Sequence, residues 1–266
     1  MKTMKCFRRA LCAALLAIVC YSPLQAQELV IDENNYEEYL VYVENANPEN
    51  GRADWVFKDK SVLKGVKKLT ISGELYSYLN LTTGAEDLEE LVIDKCFFGV
   101  FVHGTKLRKV TIDVHPRYSL FDFQMDNGFL SQDSIILRGA PFYRFIAKRQ
   151  RITDLTPIYP LLWEDCDELQ LNGGKYNRNE MGRVVTYNPT NSIREIDMTR
   201  IPSKLKTLHL ATNLLERIDN INQPLLNNLM LRNNLLWSLD LSSLTITSPL
   251  GNPNYAISDG GEGRCR

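Results

Sequence analysis

The clearest pattern of hydrophobic and polar positions lies in the C-terminal third of the chain. The segments LKTLHLATNLLERID (205–219) and LNNLMLRNNLLWSLD (226–240) align without a gap. In each segment, two leucines separated by one residue alternate as in a β-strand, and further aliphatic residues follow an asparagine. The matched positions are Leu205, Leu208, Leu210, Asn213, Leu215 and Ile218, then Leu226, Leu229, Leu231, Asn234, Leu236 and Leu239. One such unit cannot bury its own apolar side, so the pattern predicts stacked coils that share a core.

Weaker copies of the strand pattern precede these two. With the strands at Leu208 and Leu229 they make seven predicted strands, and their irregular spacing predicts that loops leave the solenoid, the longest over 175–191. The weaker copies centre on Leu69 and Ile71, Leu91 and Ile93, Val110 and Ile112, Ile135 and Leu137, and Leu169 and Leu171.

A polar or small residue follows several of these strands at a fixed distance. Asn213 and Asn234 hold this position in the two strongest copies, and Cys96 holds it after the strand at Leu91 and Ile93. An amide at a bend can bond backbone groups that would otherwise be buried without partners, so a structural role is predicted for both asparagines. Cys96 is predicted to be a buried thiol and not a reactive nucleophile.

The spacing L-x-x-L-x-L-x-x-N-x-L resembles the leucine-rich repeat. Ile152, Leu155, Ile158 and Leu161 recur at every third residue before a strand, which resembles the internalin-like subclass. The resemblance implies an α/β solenoid: a right-handed horseshoe with a parallel β-sheet on its concave face and irregular middle coils. It also implies binding by outward-facing strand residues. The candidate binding residues are Arg138, Gln170, Asn172, Thr207, His209, Asn228, Met230 and Arg232.

The ends of the chain differ from its middle. Residues 1–26 place four basic residues before the uncharged run Ala10–Cys20, a pattern typical of a secretory signal peptide. That run has 11 residues, too few for a transmembrane helix, and no later segment approaches the required length. We therefore expect a secreted or cell-surface protein exported by a bacterium, with the periplasm as the alternative.

Three further regions complete the predicted organisation. Residues 27–65 are an N-terminal capping segment with a helix from Asn35 to Glu44, and residues 66–246 are the solenoid. Residues 247–266 form a tail with little apolar content. Either this tail folds across the open end of the solenoid, or the chain is a truncated version of a longer protein.

The composition and the absence of known motifs argue against several classes of function. Without the signal segment the chain has 27 basic and 32 acidic residues, so it lacks the basic footprint of a nucleic-acid-binding protein. Three cysteines remain, an odd number whose spacing fits no zinc motif, and the state of Cys166 and Cys265 is left open. No catalytic motif is present, and the only histidines are His103, His115 and His209. We expect no enzyme activity, no cofactor and no metal.

The sequence therefore favours a monomeric binding module for protein recognition or adhesion, whose partner is a protein ligand or a cell-surface glycan. One alternative is a glycan-binding or glycan-degradation accessory protein, suggested by the aromatic segment from Phe97 to Phe145 and the basic run Lys148 to Arg151. The competing explanation for those aromatic residues is that they fill the core of the middle coils. A third alternative is a truncated structural repeat protein without a partner of its own.

Overall fold

The computed structural model describes residues 28–47, 52–118, 120–174, 176–178, 184–186, 191–239 and 254–256. The predicted signal peptide, most of the predicted loop 175–191, and Cys265 lie outside these residues. Within the described part of the chain, no helix has the length and apolar character needed to cross a membrane.

The chain forms a β-solenoid with two main sheets and little helix. Sheet A has five parallel strands in the order β1, β4, β6, β8, β10. Their bounds are Glu28–Ile31, Lys68–Ser72, Glu90–Asp94, Lys109–Asp113 and Ile135–Arg138. Sheet B has ten strands in the order β2, β3, β5, β7, β9, β11, β12, β15, β17, β19. Their bounds are Leu40–Asn47, Arg52–Phe57, Tyr78–Leu81, Gly99–His103, Phe121–Asp126, Phe142–Lys148, Glu168–Gln170, Thr207–His209, Asn228–Met230 and Asn254–Ala256.

From β4 to β11, each coil contributes one strand to each sheet. Leu69, Leu91 and Val110 occupy one register position of sheet A, and Leu79 pairs with Val100 across sheet B. All five side chains are fully buried. Because every second residue of a strand points inward, the two sheets enclose a single aliphatic core.

Sheet A stops at β10, whereas sheet B continues to the C-terminal end of the solenoid. Two 3₁₀ turns, Tyr159–Leu161 and Met198–Arg200, occur in the coils that follow. Buried aliphatic residues replace the strand there, among them Leu155, Ile158 and Ile201. The irregularly spaced coils that the sequence predicts therefore contain a change from two strands per coil to one.

The predicted helix from Asn35 to Glu44 is wrong. A single helical turn, α1, covers Tyr36–Tyr39, and strand β2 begins at once with Leu40. The strand pairs antiparallel with β3 at the edge of sheet B. Val41, Tyr42 and Val43 are β-branched or aromatic residues that favour extended backbone, and this preference outweighs the local helical pattern.

The C-terminal tail contributes a strand. Residues Asn254–Ala256 (β19) pair in parallel with β17, in register with Asn228–Met230. Two shorter sheets complete the described structure. One pairs Tyr176–Arg178 (β13) with Val184–Thr186 (β14), and the other pairs Arg217–Ile218 (β16) with Ser238–Leu239 (β18).

All seven predicted strands exist, but the prediction that they form one sheet is wrong. The four N-terminal ones lie in sheet A and the three C-terminal ones, β12, β15 and β17, lie in sheet B. The 21-residue repeat is confirmed as a stacking unit, since Leu208 pairs with Leu229 across β15 and β17.

Candidate functional site

A ladder of buried side-chain amides runs along one corner of the C-terminal coils. Asn213 Oδ1 accepts the Ile193 N–H at 3.1 Å, and Asn213 Nδ2 donates to Leu171 O at 2.9 Å and Leu210 O at 3.0 Å. Asn234 repeats this arrangement one coil later with the N–H of Leu215. The predicted structural role of both asparagines is confirmed.

Two members of this ladder were missed by the sequence analysis. Asn191 Oδ1 accepts the Ile152 N–H at 3.1 Å, and Gln150 Oε1 accepts the Leu130 N–H at 3.2 Å. The sequence analysis had placed Gln150 within the basic run Lys148 to Arg151 and Asn191 at the end of the loop 175–191. The missed signal is an amide two residues before an aliphatic residue, as in Gln150-x-Ile152, Asn191-x-Ile193, Asn213-x-Leu215 and Asn234-x-Leu236.

The cysteines of the described chain are structural. Cys96 is buried, as predicted, and its thiol lies 3.2 Å from Ile71 O. Cys166 is also a buried free thiol. Burial raises the pKa of the Cys96 thiol far above its ordinary value and raises the pKa of Cys166 to about 12. Neither thiol is therefore a thiolate nucleophile at neutral pH.

Seven of the eight candidate binding residues come together on the outward face of sheet B. They lie on or directly after the neighbouring strands β12, β15 and β17: Gln170, Asn172, Thr207, His209, Asn228, Met230 and Arg232. Arg138 does not join them, because it lies at the end of β10 in sheet A, in register with Asp113. The separation follows from the assignment of β10 and β12 to different sheets.

The same face continues onto β9 and β11, where the sequence analysis placed no strand. Arg144 lies between two carboxylates: its Nη1 donates to Asp122 Oδ2 at 3.5 Å, and its Nε is 3.0 Å from Glu168 Oε2. Each carboxylate also accepts from a glutamine two residues further along its own strand, Gln124 on β9 and Gln170 on β12. We name these five residues the Arg144 cluster.

Two buried polar atoms of the Arg144 cluster lack a hydrogen-bond partner. They are Arg144 Nε, which lies near Glu168 without being directed at it as a hydrogen bond requires, and Gln170 Oε1. The amide orientation of Gln170 is fixed by charge, since its Nε2 faces the Glu168 carboxylate and its Oε1 must therefore point elsewhere. A buried polar atom without a partner costs about 1–3 kcal/mol, so this pair requires an explanation.

His209 extends the surface beside the Arg144 cluster. Its Nε2 lies 2.9 Å from Asn228 Oδ1, and an amide oxygen can only accept, so Nε2 carries the proton. Burial lowers the pKa of His209, while the hydrogen bond with Asn228 opposes that shift. The imidazole is therefore neutral at pH 7 and presents Nδ1 as an acceptor.

The aromatic middle segment divides into buried and accessible rings. Phe97, Phe121, Phe123, Phe142 and Phe145 are fully buried, which confirms that the aromatic residues mainly fill the core. Phe98 and Tyr118 are only partly buried. His103 and His115 do not meet, because His103 ends β7 in sheet B and His115 follows β8 of sheet A. Among the described residues, no group of three or more histidine, cysteine or acidic side chains is arranged to hold a metal ion.

Comparison with family models, with curated proteins and with solved structures finds no significant match to this chain. The site is therefore interpreted from its own geometry.

Proposed function

We propose that this protein is a secreted or surface-exposed recognition module that binds a protein ligand on the outward face of sheet B. The binding surface comprises the Arg144 cluster together with Asn172, Thr207, His209, Asn228, Met230 and Arg232. Binding and not catalysis is proposed, because the face presents a neutral imidazole and paired charges and has no activated nucleophile.

The unpartnered atoms Arg144 Nε and Gln170 Oε1 carry the proposal. One is a donor and the other an acceptor, and they lie on the adjacent strands β11 and β12, whose residues Ile146 and Gln170 are in register. A peptide group has the complementary pair, a C=O that accepts and an N–H that donates. Both atoms are shielded from solvent in the structure, so a bound peptide would satisfy them once the Arg144 and Gln170 side chains turn toward it. The fixed C=O and N–H of one peptide group match this donor and acceptor, and a protein ligand is therefore proposed for this face.

The proposal includes the leucine-rich-repeat nature of the C-terminal coils and export by the N-terminal segment. The 21-residue stacking period and the buried asparagine ladder support the repeat assignment. Export would place a single-sided binding surface where it meets partners outside the cell.

The experiment compares two triple variants that each introduce three glutamates, and the sheet B variant also loses the positive charge of Arg232. One carries Asn228→Glu, Met230→Glu and Arg232→Glu on sheet B. The control carries Thr70→Glu, Val92→Glu and Thr111→Glu, which occupy one half-buried row on the outward face of sheet A. Surface proteins captured by the wild-type protein are identified, produced separately and titrated by calorimetry.

The proposal requires a purified protein that binds the wild type and the sheet A variant equally and binds the sheet B variant at least about tenfold more weakly. Failure to find such a protein, or equal binding by all three forms, would contradict it. Gln170→Met sharpens the test. It removes the orphaned acceptor at nearly constant volume, so the free energy of unfolding should change by less than about 1.5 kcal/mol while ligand affinity falls.

A further inference from the structure

A second accessible surface lies in the N-terminal coils, on strands β2 and β3 of sheet B and on the segments that lead from sheet A into sheet B. Five aromatic residues from neighbouring coils form it, and we name it the aromatic ridge. They are Tyr42, Trp55, Tyr76, Phe98 and Tyr118. Tyr42 and Tyr76 are 47% and 41% exposed, in contrast to the fully buried phenylalanines of the core, so packing of the interior does not account for them.

Contacts on several sides fix the ring of Tyr76. Its hydroxyl donates to Glu74 Oε2 at 2.9 Å and accepts from Arg117 Nη1 at 2.9 Å. Its carbonyl oxygen accepts from Trp55 Nε1 at 2.6 Å, and its ring meets the ring of Tyr118 edge to face at 6.3 Å. An exposed ring that is already ordered loses little conformational entropy when a ligand packs on it.

The polar neighbours of the ridge narrow the class of ligand. Glu74 and Arg117 are exposed side chains of opposite charge on either side of the Tyr76 hydroxyl, so the local charge cancels. A ring face bordered by a carboxylate and a guanidinium suits a ligand with an apolar face and a rim of neutral hydroxyl groups. Pyranose sugars have this arrangement, with C–H groups on the face and hydroxyls around the edge.

We propose that the aromatic ridge binds a neutral polysaccharide, with one pyranose ring packed on Tyr76 and its hydroxyls bonded by Glu74 and Arg117. Trp55 and Tyr42, whose rings lie 5.4 Å apart, extend the surface for the next sugar of the chain. This site uses different side chains from the protein-binding face, which it adjoins at Phe98, whose carbonyl oxygen accepts from the Asp122 N–H.

The experiment is native affinity electrophoresis of the purified protein in gels that contain dextran, mixed-linkage β-glucan, xylan or galactomannan. At least one polymer should retard the wild type. Tyr76→Ala should weaken that binding on the order of tenfold, the loss expected when a stacking ring is removed. Tyr76→Phe keeps the ring and loses the hydroxyl, so its retardation should fall between the two.

Trp237→Ala is the matched control, because Trp237 is 70% exposed and lies in the last coils, away from the ridge. It should be retarded like the wild type, and so should the sheet B triple variant. Circular dichroism and thermal unfolding establish that each variant is folded. The proposal is overturned if none of the four polymers retards the wild type, or if Tyr76→Ala is retarded as strongly as the wild type. Equal loss in the sheet B variant would move the sugar site to that face and also overturn it.

Discussion

Replacing Asn213 by alanine tests the role of the amide ladder in stability. The side chain is 5% exposed and bonds Leu171 and Ile193 of the preceding coil as well as Leu210 of its own coil. Alanine cannot accept from the Ile193 N–H, and Ile193 is fully buried, so water cannot take over that role. The two carbonyl groups each keep a hydrogen-bond donor, because Leu171 O also accepts from Asn191 and Leu210 O also accepts from Asn234.

The expected loss of unfolding free energy follows from this difference between the Ile193 N–H, which loses its partner, and the two carbonyl groups, which keep one. One orphaned buried N–H costs about 1–3 kcal/mol, and the lost amide-to-carbonyl bonds add about 1 kcal/mol. We therefore expect Asn213→Ala to lower the free energy of unfolding by about 3 kcal/mol. Asn234→Ala should cost less, about 1–2 kcal/mol, because Asn234 lies near the end of the ladder and is only partly buried.

The assay is equilibrium urea denaturation followed by circular dichroism, with the slope of the transition compared among variants. Asn222→Ala is the control, because Asn222 is exposed. Asn213→Asp adds a second test, since it retains an acceptor for Ile193 but turns a carboxylate oxygen toward backbone carbonyls. A loss below about 1 kcal/mol for Asn213→Ala, or full stability of Asn213→Asp at pH 7, would refute the reasoning.

Three further predictions follow from local geometry. Cys96 and Cys166 should resist alkylation by iodoacetamide at pH 7 in the folded protein and react after denaturation, because burial raises the pKa of both thiols; mass spectrometry checks this, and rapid native labelling would contradict it. The pKa of His209 is lowered by burial, so the unfolded chain binds more protons than the folded chain as pH decreases below about 6.5. The free energy of unfolding should therefore decrease as the pH is lowered through this range. The ring should titrate by NMR below its ordinary value, and His209→Gln should reduce the slope of stability against pH; an unchanged slope would count against this. Gly139→Ala should cost about 1–3 kcal/mol in urea denaturation, because φ is +87° and the new Cβ would lie 2.6 Å from Val114 O. Gly104→Ala, with φ +65° and open space, should cost less; equal costs would remove the steric argument.

The sequence predicts the repeated core well, because an inward leucine has the same neighbours in every coil. Leu208 and Leu229 could be assigned from their 21-residue spacing alone, and the buried asparagines followed from their place after the strand. The assignment of each strand to sheet A or to sheet B could not be predicted in this way. An alternating strand such as Leu69 to Ile71 looks the same in sheet A as Leu208 to Leu210 does in sheet B.

The candidate site was predicted in part for the same reason. Gln170, His209 and Met230 were identified because their strands carry the repeat pattern, and the structure places them on one face. Asp122, Gln124 and Arg144 were missed because β9 and β11 are lined by phenylalanine, which was assigned to core filling without a strand. The alternation Phe121, Phe123, Met125 was the available signal.

The termination of sheet A at β10 gives the solenoid two mechanically different halves. Before β10, two strand ladders tie each coil to the next, whereas beyond it the described coils are joined by sheet B, the amide corner and the short pair of β16 with β18. In a linear stack each coil is held only by its neighbours. Under tension, or during slow hydrogen exchange, unravelling should therefore begin in the C-terminal coils and pause at β10. The surface that binds the proposed protein ligand would then unfold first, and a bound ligand would stabilise the C-terminal coils against this unfolding.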